Sequence, residues 1–173
     1  MEKLHPLVSI IMGSDSDLPV MEEAAKLLEE MHVPFEIKIL SAHRTPTLVK
    51  EHVSNLKKRG VRVIIAGAGG AAHLPGIIAS FTTLPVIGVP IKASISIDGW
   101  DSILSILQMP PGIPVATVGL NAARNAAILT VQILATVDNN YAQRLSQHRQ
   151  NMKTKVINAN QKVKDMNYKY LID

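Results

Sequence analysis

The chain has 173 residues, 47% hydrophobic and 18% charged, with a mean hydropathy of +0.17. That suits one domain with one sizeable core, and the charge is low beside the roughly 25% of average chains, so either the core is large or other subunits cover much of the surface. Aromatics at 3% argue against a nucleic-acid stacking platform, the absence of cysteine excludes disulfides and thiolate metal sites, and the formal charge of +4 resides in the segment from Tyr141 onward, where seven Lys or Arg and two Asp give +5 and leave the rest near neutral.

The first six residues lack the apolar core of a signal peptide, and the apolar stretches are broken before membrane-spanning length, so a cytoplasmic protein without a membrane partner is expected. Residues 7–12 are apolar apart from Ser9, the mark of a strand buried on both faces. Ser16 or Asp17 can cap the helix that follows, with Pro19 in its first turn and Val20, Ala24, Leu27, Leu28 and Met31 on one face. Residues 35–40 form a second strand, and a helix with Val49, Val53 and Leu56 inward ends at Arg59-Gly60. A third strand spans 61–66 and a short helix 74–81. A fourth strand covers 85–89, a helix 99–108 and a fifth strand 114–118. The helix over 122–136 is almost wholly apolar and must be buried on most sides. Strands alternating with helices imply a parallel sheet covered on both faces, here a flavodoxin-like α/β three-layer sandwich with five strands in the order 2-1-3-4-5. Beyond this domain (1–138), a long C-terminal helix from about Asn139 to Asn167 places Leu145, Met152, Val156, Ala159 and Val163 in one stripe. The extension, 139–173, is expected to pack on a neighbouring subunit rather than only on its own sheet.

Ligands of such sheets bind outside the carboxyl ends of the strands, near the point where strand order reverses. Three polar or glycine-rich segments fall there. In Gly13-Ser14-Asp15-Ser16-Asp17, glycine permits a sharp exit, the helix N-terminus offers N–H groups and the hydroxyls suit a phosphate. Asp15 and Asp17 would repel that phosphate, so at least one must face elsewhere, and a carboxylate here can hold ribose hydroxyls or a ring amine. A plain capping segment competes equally. In Ser41-Ala42-His43-Arg44, a histidine beside an arginine supplies a proton carrier near neutrality and an anion clamp, or else an ordinary capping loop. In the third, Gly67-Ala68-Gly69-Gly70-Ala71-Ala72 mimics a dinucleotide fingerprint, but it follows the wrong strand and no acidic residue stands in 87–91, so the glycines more simply admit a small ligand close to the backbone. His73 lines that pocket or is only a hydrogen-bonded, part-buried histidine. The loop 92–102 either borders the site or is surface. No histidine spacing suits a metal.

The motifs Met12-Gly-Ser-Asp-Ser-Asp17, Ser41-Ala-His-Arg-Thr-Pro46 and Ala66-Gly-Ala-Gly-Gly-Ala-Ala-His-Leu-Pro75, in this order and spacing, resemble those of the N5-carboxyaminoimidazole ribonucleotide mutase family of bacterial purine synthesis. Asp101-Ser-Ile-Leu-Ser-Ile-Leu-Gln-Met-Pro110 and Pro114-Val-Ala-Thr117 extend the resemblance, while 91–101 and 118–125 depart from the family pattern. The resemblance implies a homo-octamer, a phosphoribosyl-aminoimidazole substrate, no metal or organic cofactor, and a functional link to an ATP-dependent synthetase of the carboxylated substrate. It implies His43 as the catalytic acid/base; Ser14, Asp17 and Arg44 as nucleotide-binding, with Arg44 on the phosphate; and Gly69, Gly70, Ala71, His73 and Leu74 as the wall near the migrating carboxylate. Gly13, Asp15, Ser16, Ser41 and Ala42 complete the expected substrate site. A direct CO2-using carboxylase of the animal type and a non-catalytic nucleotide-binding module are the alternatives; Arg44, where the animal type tends to carry Lys, favours the mutase.

Overall fold

The computed structural model describes residues 5–166 together with Tyr168 and Ile172. Five parallel strands, β1 (Val8–Met12), β2 (Phe35–Ile39), β3 (Val63–Gly69), β4 (Val86–Ile91) and β5 (Ala116–Thr117), lie in the order β2-β1-β3-β4-β5. The expected strand order holds. The helices are α1 (Leu18–Glu30), α2 (Pro46–Leu56), α3 (Leu74–Ser80), α4 (Trp100–Leu107), α5 (Ala123–Ala135) and α6 (Asn139–Lys164).

Alternation along the strands builds two cores. Val8, Ile10, Met12, Val63, Ile65, Ile87 and Val89 face α1 and α5. Ile11, Ile64, Ala66 and Val86 face α2, α3 and α4 through Val49, Val53, Leu56, Ile78 and Ile106. The central strands are buried on both sides, which is why their sequences run apolar with Ser9 as the one break. The α5 helix buries Ala126, Ala127, Val131 and Leu134, and Asn125 is its one exposed residue.

Several expected boundaries shift. The third strand continues through Gly67, Ala68 and Gly69 to pair with Val89, Pro90 and Ile91, so the glycine-rich segment is half strand and only 70–73 is loop. The fifth strand shrinks to two residues, paired with Ile87 and Gly88. Neither Ser16 nor Asp17 caps α1 through its side chain; Ser14 caps a short 3-10 turn, Asp15–Asp17, that precedes the helix.

The last helix starts on the domain and leaves it. Asp138 caps it by accepting the Asn140 N–H at 2.9 Å, and Tyr141 is buried in the α1–α5 core. Arg144 donates to the carbonyls of Met31 at 2.7 Å and His32 at 3.3 Å, closing the carboxyl end of α1. Of the expected stripe Leu145 packs on the core, while Met152, Val156, Ala159 and Val163 are exposed. The expected end at Asn167 lies outside the described residues.

Candidate active site

β1 hands the chain to Gly13 and then to Ser14, whose extended backbone (φ −151°, ψ 159°) starts the 3-10 turn. Ser14 donates its N–H to Asp17 Oδ2 at 3.1 Å and its hydroxyl to Asp15 Oδ1 at 2.9 Å. Ser16 N–H is taken by Asp15 Oδ1 at 3.0 Å and by Ser14 Oγ at 3.4 Å. The Ser14 and Ser16 N–H groups, expected to greet an anion, are therefore engaged by the chain's own oxygens. The two carboxylates part company. Asp15 is exposed, and its bond from the Ser14 hydroxyl holds its carboxyl below the usual value. Asp17 is 5% exposed; burial pushes its carboxyl up, against the opposing pull of the Ser14 and Gly13 N–H groups.

The turn after β2 is self-locked. Ser41 N–H donates to Thr45 Oγ1 at 3.0 Å, Thr45 Oγ1 donates to the Ser41 carbonyl at 3.1 Å, and Ser41 Oγ accepts both the Arg44 backbone N–H at 3.2 Å and its Nε at 3.3 Å. Arg44 Nη2 then donates to the Gly13 carbonyl at 2.9 Å, joining the first loop to the second. The lock leaves His43 projecting. Its Nε2 lies 2.8 Å from His73 Nδ1, with the rings edge to face, centroids 5.0 Å apart and planes at 83°. One nitrogen of the pair donates and the other accepts, so the tautomers of the two rings are coupled.

β3 supplies the floor. A Cβ at Gly69 would stand 2.7 Å from the Ala93 Cβ and 2.9 Å from the Ile91 carbonyl oxygen, closer than any side chain is accommodated. Gly70 takes φ +58°, the left-handed turn that sends the chain toward His73 at the head of α3.

These loops meet around one cleft of about 400 Å3. Of the expected site residues, Gly13, Ser14, Ser16, Asp17, Ser41, Ala42, His43, Arg44, Gly69, Ala71, His73 and Leu74 line it, and Asp15 and Gly70 do not. Ala68, Ala93, Ser94 and Ile95 line it too. The last three belong to the loop after β4, which the sequence marked as a possible border without assigning contacts; the signal available was that β4 neighbours β3, so their carboxyl-end loops must touch. The cleft thus offers one guanidinium, one buried carboxylate, one imidazole pair and a wall without side-chain bulk. That set can hold a small phosphorylated sugar and move a proton. Among the described residues no group of three or more His, Cys, Asp or Glu is placed to hold a metal ion.

Residues 7–155 match the family model described as AIR carboxylase. The chain is 55% identical over 168 residues to the N5-carboxyaminoimidazole ribonucleotide mutase of Pyrococcus horikoshii, covering 97% of this chain and 94% of that one. It is 52% identical to the phosphoribosylaminoimidazole carboxylase of Candida albicans, matching 99% of this chain but 30% of that longer protein. The crystal structure of Treponema denticola PurE superposes with a TM-score of 0.82 at 30% identity, over 92% of this chain and 99% of that one. A three-layer α/β sandwich with this cleft at its strand ends belongs to the AIR carboxylase family, and within that family the chain falls among the N5-carboxyaminoimidazole ribonucleotide mutases.

Proposed function

We propose that the chain interconverts N5-carboxyaminoimidazole ribonucleotide and 4-carboxy-5-aminoimidazole ribonucleotide in purine synthesis, with His43 as the proton carrier. The observation that carries this reading is His43 set at the cleft mouth against His73 at 2.8 Å, beside a floor with no side chain at Gly69. The N–C bond of the substrate carbamate breaks and CO2 departs, while His43 gives its proton to the amine nitrogen. Ring carbon C4 attacks CO2 and forms the new C–C bond. His43, now neutral, removes the C4 proton and the ring regains its aromaticity. One imidazole that gives and then takes a proton is suited to neutral pH. Arg44 clamps the phosphate, Asp17 accepts from the ribose hydroxyls, and the glycine floor lets CO2 lie flat against the backbone until it is recaptured. No cofactor enters these steps.

The same reading includes a homo-octamer in the cytoplasm, with α6 docked on a neighbouring copy, fed by an ATP-dependent synthetase that makes the unstable carbamate. Among the described residues no helix is long and apolar enough to cross a membrane.

The test is interconversion of the two carboxylated nucleotides without bicarbonate or ATP. Wild type turns over, and His43→Asn loses at least about 100-fold in kcat, the scale of a general acid–base group. The carboxylase name of the Candida albicans relative motivates a second arm. Activity only with the uncarboxylated amine and CO2 would place the chain with the direct carboxylases, and silence in both arms would leave a nucleotide-binding module.

A further inference from the structure

In the loop between β4 and α4, residues 92–99, Ile97 is 76% exposed, and Ile95 is 81% exposed at the open edge of the cleft. Ser96 between them points inward. Its hydroxyl accepts the N–H of Ala93 at 3.0 Å and the N–H of Gly70 at 3.3 Å, and it faces the Ile91 carbonyl as donor at 3.5 Å. A hydroxyl has one proton and two lone pairs, so its capacity is fully used.

The ends of this loop are anchored by other means. Lys92 and Asp98 form an ion pair across its base. Lys92 N–H donates to Asn121 Oδ1 at 2.9 Å, and Asn121 N–H donates to the Pro90 carbonyl at 2.8 Å. Among the described residues, the Ser96–Gly70 bond is the hydrogen bond that ties the middle of the loop to the turn after β3. Gly70 begins the turn that ends in His73, and His73 touches His43. Ile95 lies directly on Gly70, its Cδ1 3.1 Å from where a Cβ would stand there, and it lines the cleft.

We propose that Ser96 is a positioning residue for the carboxylate transfer: through the Gly70 N–H it fixes the turn that presents His73 to His43, and it holds Ile95 as a wall of the cleft. The inference rests on the mutase reading. A single neutral hydrogen bond contributes little to global stability, whereas displacement at a reacting centre is costly in rate. Arg44 and Asp17 are held by the first two loops, so loss of the Ser96 hydroxyl is expected to fall on kcat more than on KM.

Three proteins decide it: wild type, Ser96→Ala and Ser96→Thr, each measured for kcat, KM, melting temperature and acrylamide quenching of Trp100. Trp100 is the only tryptophan of the chain, is 62% exposed and adjoins the end of the loop. Ser96→Ala is expected to lower kcat by about tenfold or more, with KM and melting temperature close to wild type and quenching increased. Ser96→Thr, which keeps the hydroxyl, is expected to restore kcat. Unchanged kcat in Ser96→Ala overturns the proposal, as does a loss that tracks the melting temperature and persists in Ser96→Thr. If wild type itself shows no turnover, the mutase reading fails, and equal Trp100 quenching in wild type and Ser96→Ala separately overturns the role of Ser96 in fastening the loop.

Discussion

Asp17 is a buried acid facing a cleft, and burial raises its carboxyl above the ordinary value while two N–H groups pull against that rise. A carboxyl raised on folding costs stability where it is ionised, and the cost fades as pH falls through its folded-state value toward the ordinary 3.8. Asp17→Asn removes the charge and keeps an acceptor for the Ser14 N–H. At pH 7 its urea denaturation is therefore expected to show stability equal to wild type or up to about 1 kcal/mol higher, while KM for the ribonucleotide rises. A fall in stability with KM unchanged would remove Asp17 from the substrate and leave it as a turn residue. Asp15, two positions away, is exposed and bound by the Ser14 hydroxyl, so the pair divides into an inner and an outer carboxylate.

At the scale of elements, α2 is pinned to the edge strand β2 by a polar cluster. Glu36 on β2 accepts the Ser9 hydroxyl at 3.0 Å, lies 3.2 Å from His52 Nε2 on α2 and pairs with Arg59 beyond the helix. Burial lowers the His52 pKa from its ordinary 6.5, and Arg59 and Lys38 push the same way against Glu36. For Glu36, burial works upward, but the bonds from Arg59 and Ser9 outweigh it and hold the carboxyl low. A histidine depressed on folding gives stability that is complete above 6.5 and is lost as pH falls through the range below it; the Glu36 contribution is lost only in more acid solution. The urea midpoint is therefore expected to drop between pH 7.5 and 5.5, and His52→Gln to flatten that slope. An identical slope in the variant would assign the pH dependence elsewhere. The central strands and the helices with an apolar stripe were legible because burial on one or both faces writes directly into sequence pattern. The extension of β3 through Gly69 was not, since glycine has no side chain to announce a strand, and its place there answers to Ala93 and Ile91, more than twenty residues away. The polar loops of the cleft stood out as interruptions of apolar runs. Ala93 and Ile95 did not, because ordinary apolar residues reach the cleft only through the long-range bonds of Ser96 and Lys92.

For the whole molecule, α6 is the part least explained by one chain. Its 26 residues span about 39 Å at the helical rise, and every described residue from Asn151 onward is exposed, including Met152, Val156, Ile157 and Val163. It carries Arg144, Arg149, Lys153, Lys155, Lys162 and Lys164 and no acidic residue, whereas α1 carries Glu22, Glu23, Glu29 and Glu30. A chain ending at Gln150 is expected to keep the domain's circular dichroism and melting transition but to form a smaller particle by light scattering; an unchanged particle mass would remove α6 from the assembly. The floor of the cleft has another consequence. No side chain can be added at Gly69 without moving the Ala93 Cβ and the β4 backbone, and Gly70 needs its left-handed turn. The floor therefore admits almost no substitution, and a change in what the cleft accepts has to be made through the side chains of the loops around it, at 13–17, 41–44 and 93–95.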